Sequence, residues 1–219
     1  KYFKFFENRH ITSQISADNN YYEVPFDDWC PSGTPSPNFA LSIWFYVTSW
    51  DTANNKYLFE RIDNANETEI SAYLGTTNND LTVTFEDTSN AETLCEVNNI
   101  PLQKWIHLCV VRYDDTLDLY IDGKLIKSCV STGSITKSPV SKPILLHGTY
   151  DSNGTAGEQG FDGYTTHLKY FNSTLAPNEV YNIYKNGYGG SFLDSLLGGY
   201  KMRMSLFRNE EEIAGVGLG

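Results

Sequence analysis

The densest run of apolar positions lies in Lys104–Val130, KWIHLCVVRYDDTLDLYIDGKLIKSCV. Within it, Trp105, His107, Cys109, Val111 and Tyr113 fall on one face of an extended chain, and Ile106, Leu108, Val110 and Arg112 on the other. A strand that is apolar on both faces sits inside a sheet, covered from both sides. Asp114-Asp115 then turns the chain, because short Asx side chains bond to nearby backbone. Leu117, Leu119 and Ile121 alternate with Asp118, Tyr120 and Asp122, the pattern of a half-buried strand. Asp122-Gly123 suits a two-residue type I′ loop, which needs positive φ at both positions. Leu125–Val130 returns as the third strand of this meander.

Strand-sized runs recur on either side. Tyr21–Phe26 is a short strand, Asp27–Asn38 a Pro-, Gly- and Ser-rich loop, and Phe39–Trp50 a core strand. Lys56–Ile62, Glu69–Leu74, Leu81–Glu86 and Glu92–Val97 follow, with turns at Asp63–Thr68 and Thr76–Asp80. Ile144–His147 is a short strand leading into a polar loop, Gly148–Gly160, and Phe161–Phe171 is a closing strand. Pro177–Asn186 is a short helix: proline fits the first helical position, Glu179 the first turn, and Gly187 the residue past the end. In the tail, Tyr200–Phe207 alternates, and Glu212–Val216 pairs back on it as a hairpin. Tyr2, Phe3, Phe5 and Phe6 form either a first strand paired with the chain's last strand or an arm for a partner.

These elements imply an all-β chain, a two-sheet antiparallel sandwich over residues 1–188, with a C-terminal extension at 189–219. Its 219 residues suffice for one sizeable core, and its 14 % aromatic content suits strands. The net charge of −11 argues against nucleic acid and anionic membranes as partners, since both call for a basic surface. No apolar run approaches the ~20 residues of a spanning helix. The chain begins at Lys1 without a signal-peptide pattern and is expected to be a processed product or part of something longer. Four cysteines, Cys30, Cys95, Cys109 and Cys129, include no C-x-x-C pair and permit three connectivities if all are bridged.

The run Trp-x-His-x-Cys, a strand, then Leu-Tyr-Ile-Asp-Gly-Lys resembles the central meander of concanavalin A-like sandwiches of the laminin-G and pentraxin type. Phe39–Val47 resembles their early core strand, and Gly160–Gly187 their closing strand, turn and helix. The resemblance spans residues 20–188 and implies a concanavalin A-like jelly roll with one short C-terminal helix. In pentraxins the Cys of His-x-Cys pairs with a Cys on the early core strand. Here Ser42 holds that position, which leaves Cys109 as a buried free thiol; Cys95–Cys129 is the expected disulfide. The ending YGGSFLDSLL…YKMRMSLFRNEEEI resembles tails of lectin-like proteins from large DNA viruses of algae and protists.

Because this fold hosts lectins, hydrolases and structural modules alike, function has to be argued from sites. The Glu-x-Asp-x-x-Glu run of its hydrolases is absent. Glu60 and Asp63 are wrongly spaced for one strand face, while Glu67 and Glu69 would share a face if extended but border a turn. His107 and Cys109 are a conceivable nucleophilic pair, with a packed core pair the competing reading. His10, His147 and His167 lack zinc spacing. Calcium is the cofactor the resemblance implies. Asp151 matches the acid of the pentraxin Glu-Gln-Asp run, although Thr149-Tyr150 replace its Glu-Gln. Glu158 and Gln159 match the later acid and amide, and Asp63 and Asn64, or Asn66, supply the first loop. Plain solvated turns are the alternative.

Trp50, Tyr150 and Tyr164, with Trp29, lie near strand ends where rings stack on sugars. Asn66, Asn153 and Asn172 head Asn-x-Ser/Thr glycosylation sequons. The expected function is a non-catalytic, lectin-like module of an extracellular surface or virion protein, recognising glycans or neighbouring proteins and able to form a homo-oligomer. A structural subunit of a viral particle or extracellular assembly is the alternative, and a glycoside hydrolase the third reading.

Overall fold

The computed structural model describes residues 2–4, 11–13, 21–131, 133, 141–188, 202–208 and 211–218, with side chains described within 21–131, 133 and 141–188. The chain divides into two compact units, Lys1–Lys185 and Asn186–Gly219, taken here one at a time.

The first unit is a sandwich of two antiparallel sheets. One contains β1 (Tyr2–Lys4), β2 (Ile11–Ser13), β4 (Phe39–Val47), β9 (Ile106–Tyr113), β10 (Thr116–Ile121), β11 (Lys124–Val130) and β15 (Gly163–Phe171), in the order β1-β15-β4-β9-β10-β11, with β2 also on β15. The other contains β3 (Tyr22–Val24), β5 (Lys56–Ile62), β6 (Thr68–Leu74), β7 (Leu81–Glu86), β8 (Glu92–Val97) and β12 (Ile144–Leu146), in the order β3-β12-β5-β6-β7-β8. The helices are α1 (Phe26–Trp29) and α2 (Pro177–Asn186). The two-sheet sandwich with a short helix after its closing strand is the architecture read from the sequence.

Some elements differ. The expected strand Tyr21–Phe26 stops at Val24, because Pro25 has no N–H to give a ladder. The chain turns there into α1, whose Trp29 is fully buried and donates from Nε1 to Lys142 O at 3.1 Å. The core strand from Phe39 ends at Val47, not Trp50, and Thr48 N is drawn to Asp162 O. The long polar loop contains a hairpin, β13 (Gly148–Tyr150) and β14 (Ala156–Glu158). The N-terminal strand pairs with β15, Tyr2 opposite Phe171, rather than with a strand of the tail. The Asp122-Gly123 turn has φ of 50° and 73°, as its sequence requires.

Phe39, Leu41, Ile43, Phe45 and Val47 of β4 and Ile106, Leu108 and Val110 of β9 face inward to meet Ile70, Ala72 and Leu74 of β6 and Leu81, Val83 and Phe85 of β7. An ion cluster lies in this apolar layer. Arg112 donates from a terminal guanidinium nitrogen to Glu69 Oε1 at 2.9 Å, joining β9 of one sheet to β6 of the other. Arg61 Nε is 2.8 Å from Glu69 Oε2, an ion-pair distance off the hydrogen-bond axis. Its guanidinium stands 4.1 Å from the Phe39 ring centroid and 5.2 Å from that of Trp29. At the far side, Cys95 of β8 and Cys129 of β11 form a disulfide between edge strands of the two sheets. Closing a 34-residue separation stabilises the fold by about 3–4 kcal/mol through loop entropy.

The outer face of β4 and β9 is covered in part by α2. Val180 and Ile183 with Leu175 pack on Ala40, Cys109, Val111, Tyr120 and Phe171 as a second core. Tyr184 stacks on Trp44 at 5.7 Å and lies over Gly123, where a Cβ would come 3.0 Å from the tyrosine side chain. Beneath, Ser42 Oγ and His107 Nε2 are 2.9 Å apart, both fully buried. Burial depresses the His107 pKa to about 4 and that of His147, also fully buried, to about 3. Burial also pushes the Cys109 thiol well above its usual range, so Cys109 and His107 are packed core groups and not a nucleophile and base.

The second unit carries a hairpin of β16 (Met202–Arg208) and β17 (Glu211–Leu218), at bounds close to those expected.

Two predictions follow from the core. Glu69→Ala strands two buried guanidinium groups and is expected to lower unfolding stability by about 3–5 kcal/mol, whereas the all-apolar triple replacement Arg61→Met, Glu69→Leu, Arg112→Met is near neutral. Denaturant unfolding checks both, and a loss under about 1 kcal/mol for Glu69→Ala would refute the first. Each histidine takes up its proton less readily folded than unfolded. Stability is therefore full near pH 7 and falls as pH drops below the unfolded value of about 6.5, by about 2 kcal/mol per imidazole at pH 5. His107→Asn and His147→Asn should each flatten that slope; an unchanged slope in both would rule out this origin.

Candidate functional site

Beyond the end of α2 the outer face of the larger sheet continues. Tyr46 is the next outward position after Trp44 on β4, and Tyr164 on β15 pairs with it in register. Phe45 pairs with Ile106, which brings Trp105, just ahead of β9, alongside Tyr46. Gly163 permits the approach, because a Cβ there would strike Tyr46 O. The ring centroids are 5.8 Å apart for Tyr46–Trp105, 6.3 Å for Tyr46–Tyr164 and 6.4 Å for Trp105–Tyr164, with interplanar angles of 55°, 58° and 40°. The rings form a cup rather than a stack. Together with the exposed Thr48 they line an open cleft of about 520 Å³, and Tyr164 is 39 % exposed. On its rim, Ser49 Oγ donates to Asp162 Oδ2 at 2.7 Å, and Gln103 N to Val47 O at 3.2 Å.

Of the four rings expected from the sequence, only Tyr164 lies in this cleft. Trp50 donates from Nε1 to Thr76 O at 2.9 Å and carries the Lys56 ammonium 4.3 Å over its ring, so that face is occupied. Tyr150 lies in the β13–β14 hairpin, its hydroxyl 3.4 Å from Pro143 O and its pKa pushed up by burial. Trp29 is in the core. Tyr46 and Trp105 were missed as site residues, although residue parity already set Trp105 on the same face as His107 and Cys109.

The loops expected to hold calcium do meet: Asn66 Oδ1 is buried against Gly154, where any Cβ would collide with it. Their acids, however, close their own turns. Asp63 Oδ1 accepts from Ala65 N and Glu67 N at 2.8 and 3.1 Å. Asp151 Oδ1 accepts from Asn153 N and Thr155 N, both at 2.8 Å, and the backbone bond from Thr155 is the main cause of its lowered pKa. Asn64 Oδ1 accepts from Ser141 N and Oγ. Glu158 lies on β14 opposite Gly148, and Gln159 uses its backbone to join His147 to Tyr57. Among the described residues no three His, Cys, Asp or Glu side chains gather to hold a metal ion, so these donors do not fit the expected calcium set as they stand.

The carboxylates are equally dispersed. Glu67 is exposed in its turn while Glu69 points between the sheets, so they do not share a face. Glu60 is buried on β5, accepting from Tyr150 N at 2.6 Å and Thr68 Oγ1 at 3.2 Å, and burial raises its pKa. Among the described residues, those lining the aromatic cleft include no carboxylate or imidazole, and the nearest acid named above, Asp162, is bonded to Ser49. Of the sequons, Asn153 is exposed at the hairpin tip. Asn172 is built into the fold, accepting from Tyr170 Oη and donating to Thr34 O, both at 3.1 Å.

Comparison with known proteins agrees with this fold. No curated protein matches the sequence. Among solved structures, that of botulinum neurotoxin type C, a toxin whose cell entry depends upon interaction with two ganglioside molecules, is 15 % identical with a TM-score of 0.62, covering 84 % of this chain and 44 % of its own. The heptameric SAP-like pentraxin of Limulus polyphemus is 14 % identical with a TM-score of 0.57, covering 80 % of each chain. The sialidase of Trypanosoma rangeli, in complex with sialic acid, is 12 % identical with a TM-score of 0.53, covering 68 % of this chain and 23 % of its own. The chain thus spans less than half of the toxin and sialidase chains, and at these identities the likeness is one of fold. Residues 16–181 match the family described as the concanavalin A-like lectin/glucanases superfamily, and the chain belongs to that superfamily.

Proposed function

We propose that the chain is a non-catalytic glycan-recognition module of an extracellular or virion surface, which takes a sugar ring in the cleft of Tyr46, Trp105 and Tyr164. The observation that carries this reading is the three-ring cup on an open part of the sheet face, where aromatic rings meet solvent instead of core. A pyranose presents C–H groups on its ring faces and hydroxyls at its edge, so ring walls with a hydroxyl rim suit it. Recognition here proceeds without calcium, since the cleft and the Asp63 and Asp151 turns share no residue.

The test is a glycan array probed with the 219-residue chain in calcium and again in chelator. Equal binding in both is expected, with Trp105→Ala and Tyr164→Ala each weakening it on the order of tenfold, about 1.4 kcal/mol. Binding that chelator abolishes would move the site to the Asp63 and Asp151 turns; no binding in either condition would end the lectin reading.

A second reading, a structural module of an assembly, rests on the C-terminal hairpin. Its register sets Met202 opposite Leu218, Met204 opposite Val216 and Leu206 opposite Ala214. Two strands alone are marginal in water, so this unit calls for a further apolar surface. Deleting 189–219 is expected to abolish self-association seen by sedimentation while far-UV circular dichroism of the sandwich persists. A full chain that sediments as a monomer contradicts this.

A further inference from the structure

We infer that α2 is a movable cover: its Tyr184 fills a second ring-stacking station beside the cleft, and the helix lifts from the sandwich as a unit to yield that station to the next sugar of a bound chain. The second half rests on the glycan reading above; the lifting of the helix does not. β4 and β9 carry two aromatic pairs in tandem on their outer face. Trp44 stands opposite His107 in register, with ring centroids 5.1 Å apart, and Tyr46 with Trp105 is the next pair along. Successive outward positions on a strand lie about 7 Å apart, so a ligand that fills one station reaches the other. Tyr46 and Trp105 are half-buried, whereas Trp44 is only 5 % exposed, and Tyr184 accounts for the difference. It stacks on Trp44 at 5.7 Å and 17° and lies 6.1 Å from His107. A ring laid parallel on an indole takes the place that the C–H face of a pyranose would take there.

The cover is held along a narrow edge. Val180 is fully buried, Ile183 and Tyr184 are half-buried, and the rest of α2 is exposed. Its N-terminal cap is internal, with Ala176 N donating to Glu179 Oε2 at 2.7 Å, and so moves with the helix. A ten-residue helix is marginal by itself in water, and this one depends on that apolar edge. Elements fixed by few buried groups open at a fraction of the cost of unfolding the whole. Lifting α2 also bares Cys109, the next outward position after His107, which shares the second core with Val180 and Ile183. The thiol therefore reports the opening.

The full chain, Tyr184→Ala and Val180→Ala, each checked by thermal unfolding, are alkylated with iodoacetamide across low urea concentrations, and Cys109 is followed by peptide mass. Alkylation is expected through an opening that barely responds to urea, because little surface is exposed, and both variants should speed it on the order of tenfold. An opening as steep in urea as global unfolding, or a rate that neither variant moves, overturns the cover. The same proteins are then read on arrays that print each sugar as one, two or three linked units. Tyr184→Ala is expected to gain on the order of tenfold for the longer members over the single unit. No gain, or an equal gain at every length, overturns the second station and leaves the cleft standing. No binding at any length by any of the proteins ends the glycan reading and the station with it, while the alkylation decides the cover independently. If Tyr184→Ala fails to fold, Val180→Ala carries both readings.

Discussion

β4 and β9 are covered by something on both faces, and the rest of the unit follows from how that is done. Their inward residues close the sandwich in the usual way. Their outward residues, from Ala40 to Trp44 and from His107 to Val111, are too apolar to face water and require a second cover. α2 supplies it, and Tyr184 sets the helix down on Trp44 and Gly123. A ten-residue helix is only about 15 Å long, shorter than a nine-residue strand at about 30 Å. The part of the outer face it leaves uncovered is where Tyr46, Trp105 and Tyr164 meet solvent. The cleft is thus a geometric remainder of the way the second core is closed.

The ion cluster between the sheets obeys a different logic. Three charged side chains buried in an apolar layer contribute little net stability relative to apolar residues of the same shape. They do constrain how the layers fit, because Glu69 is satisfied only when β6 stands opposite Arg112 of β9 and next to Arg61 of β5. Apolar surfaces slide over one another at low cost, whereas a buried carboxylate displaced by one residue loses its partner. The ring cage of Phe39 and Trp29 fixes the Arg61 guanidinium from its open side.

Much of the architecture could be read from alternation and turn residues. The meander from Trp105 to Val130, the Asp122-Gly123 turn and the bounds of α2 all depend on neighbours within a few residues, where local rules are strongest. The β13–β14 hairpin was hidden because three-residue strands are too short to show a period, and its tip residues Asp151–Thr155 have loop composition. α1 was hidden by Asp27-Asp28, which read as loop before Trp29 was seen to bury. For Asp63 and Asp151 the sequence shows the charge and not that each carboxylate caps its own turn through Oδ1. The cleft was legible only in part. Tyr164 could be singled out alone, and Trp105 had its face assigned, but their meeting at Tyr46 depends on the order β15-β4-β9, which joins segments more than fifty residues apart.

The covalent link between Cys95 and Cys129 has a consequence for how the unit bears load. It joins the outermost strands of opposite sheets, so tension applied along the chain on either side of it passes through the bond and bypasses β9 and β10. The enclosed segment, with a separation of 34 residues, has a stretched contour of about 120 Å that pulling cannot release while the bond is intact. β9 and β10, the two strands that lie within that segment and follow Trp105, are therefore shielded from tension along the chain while the bond is intact.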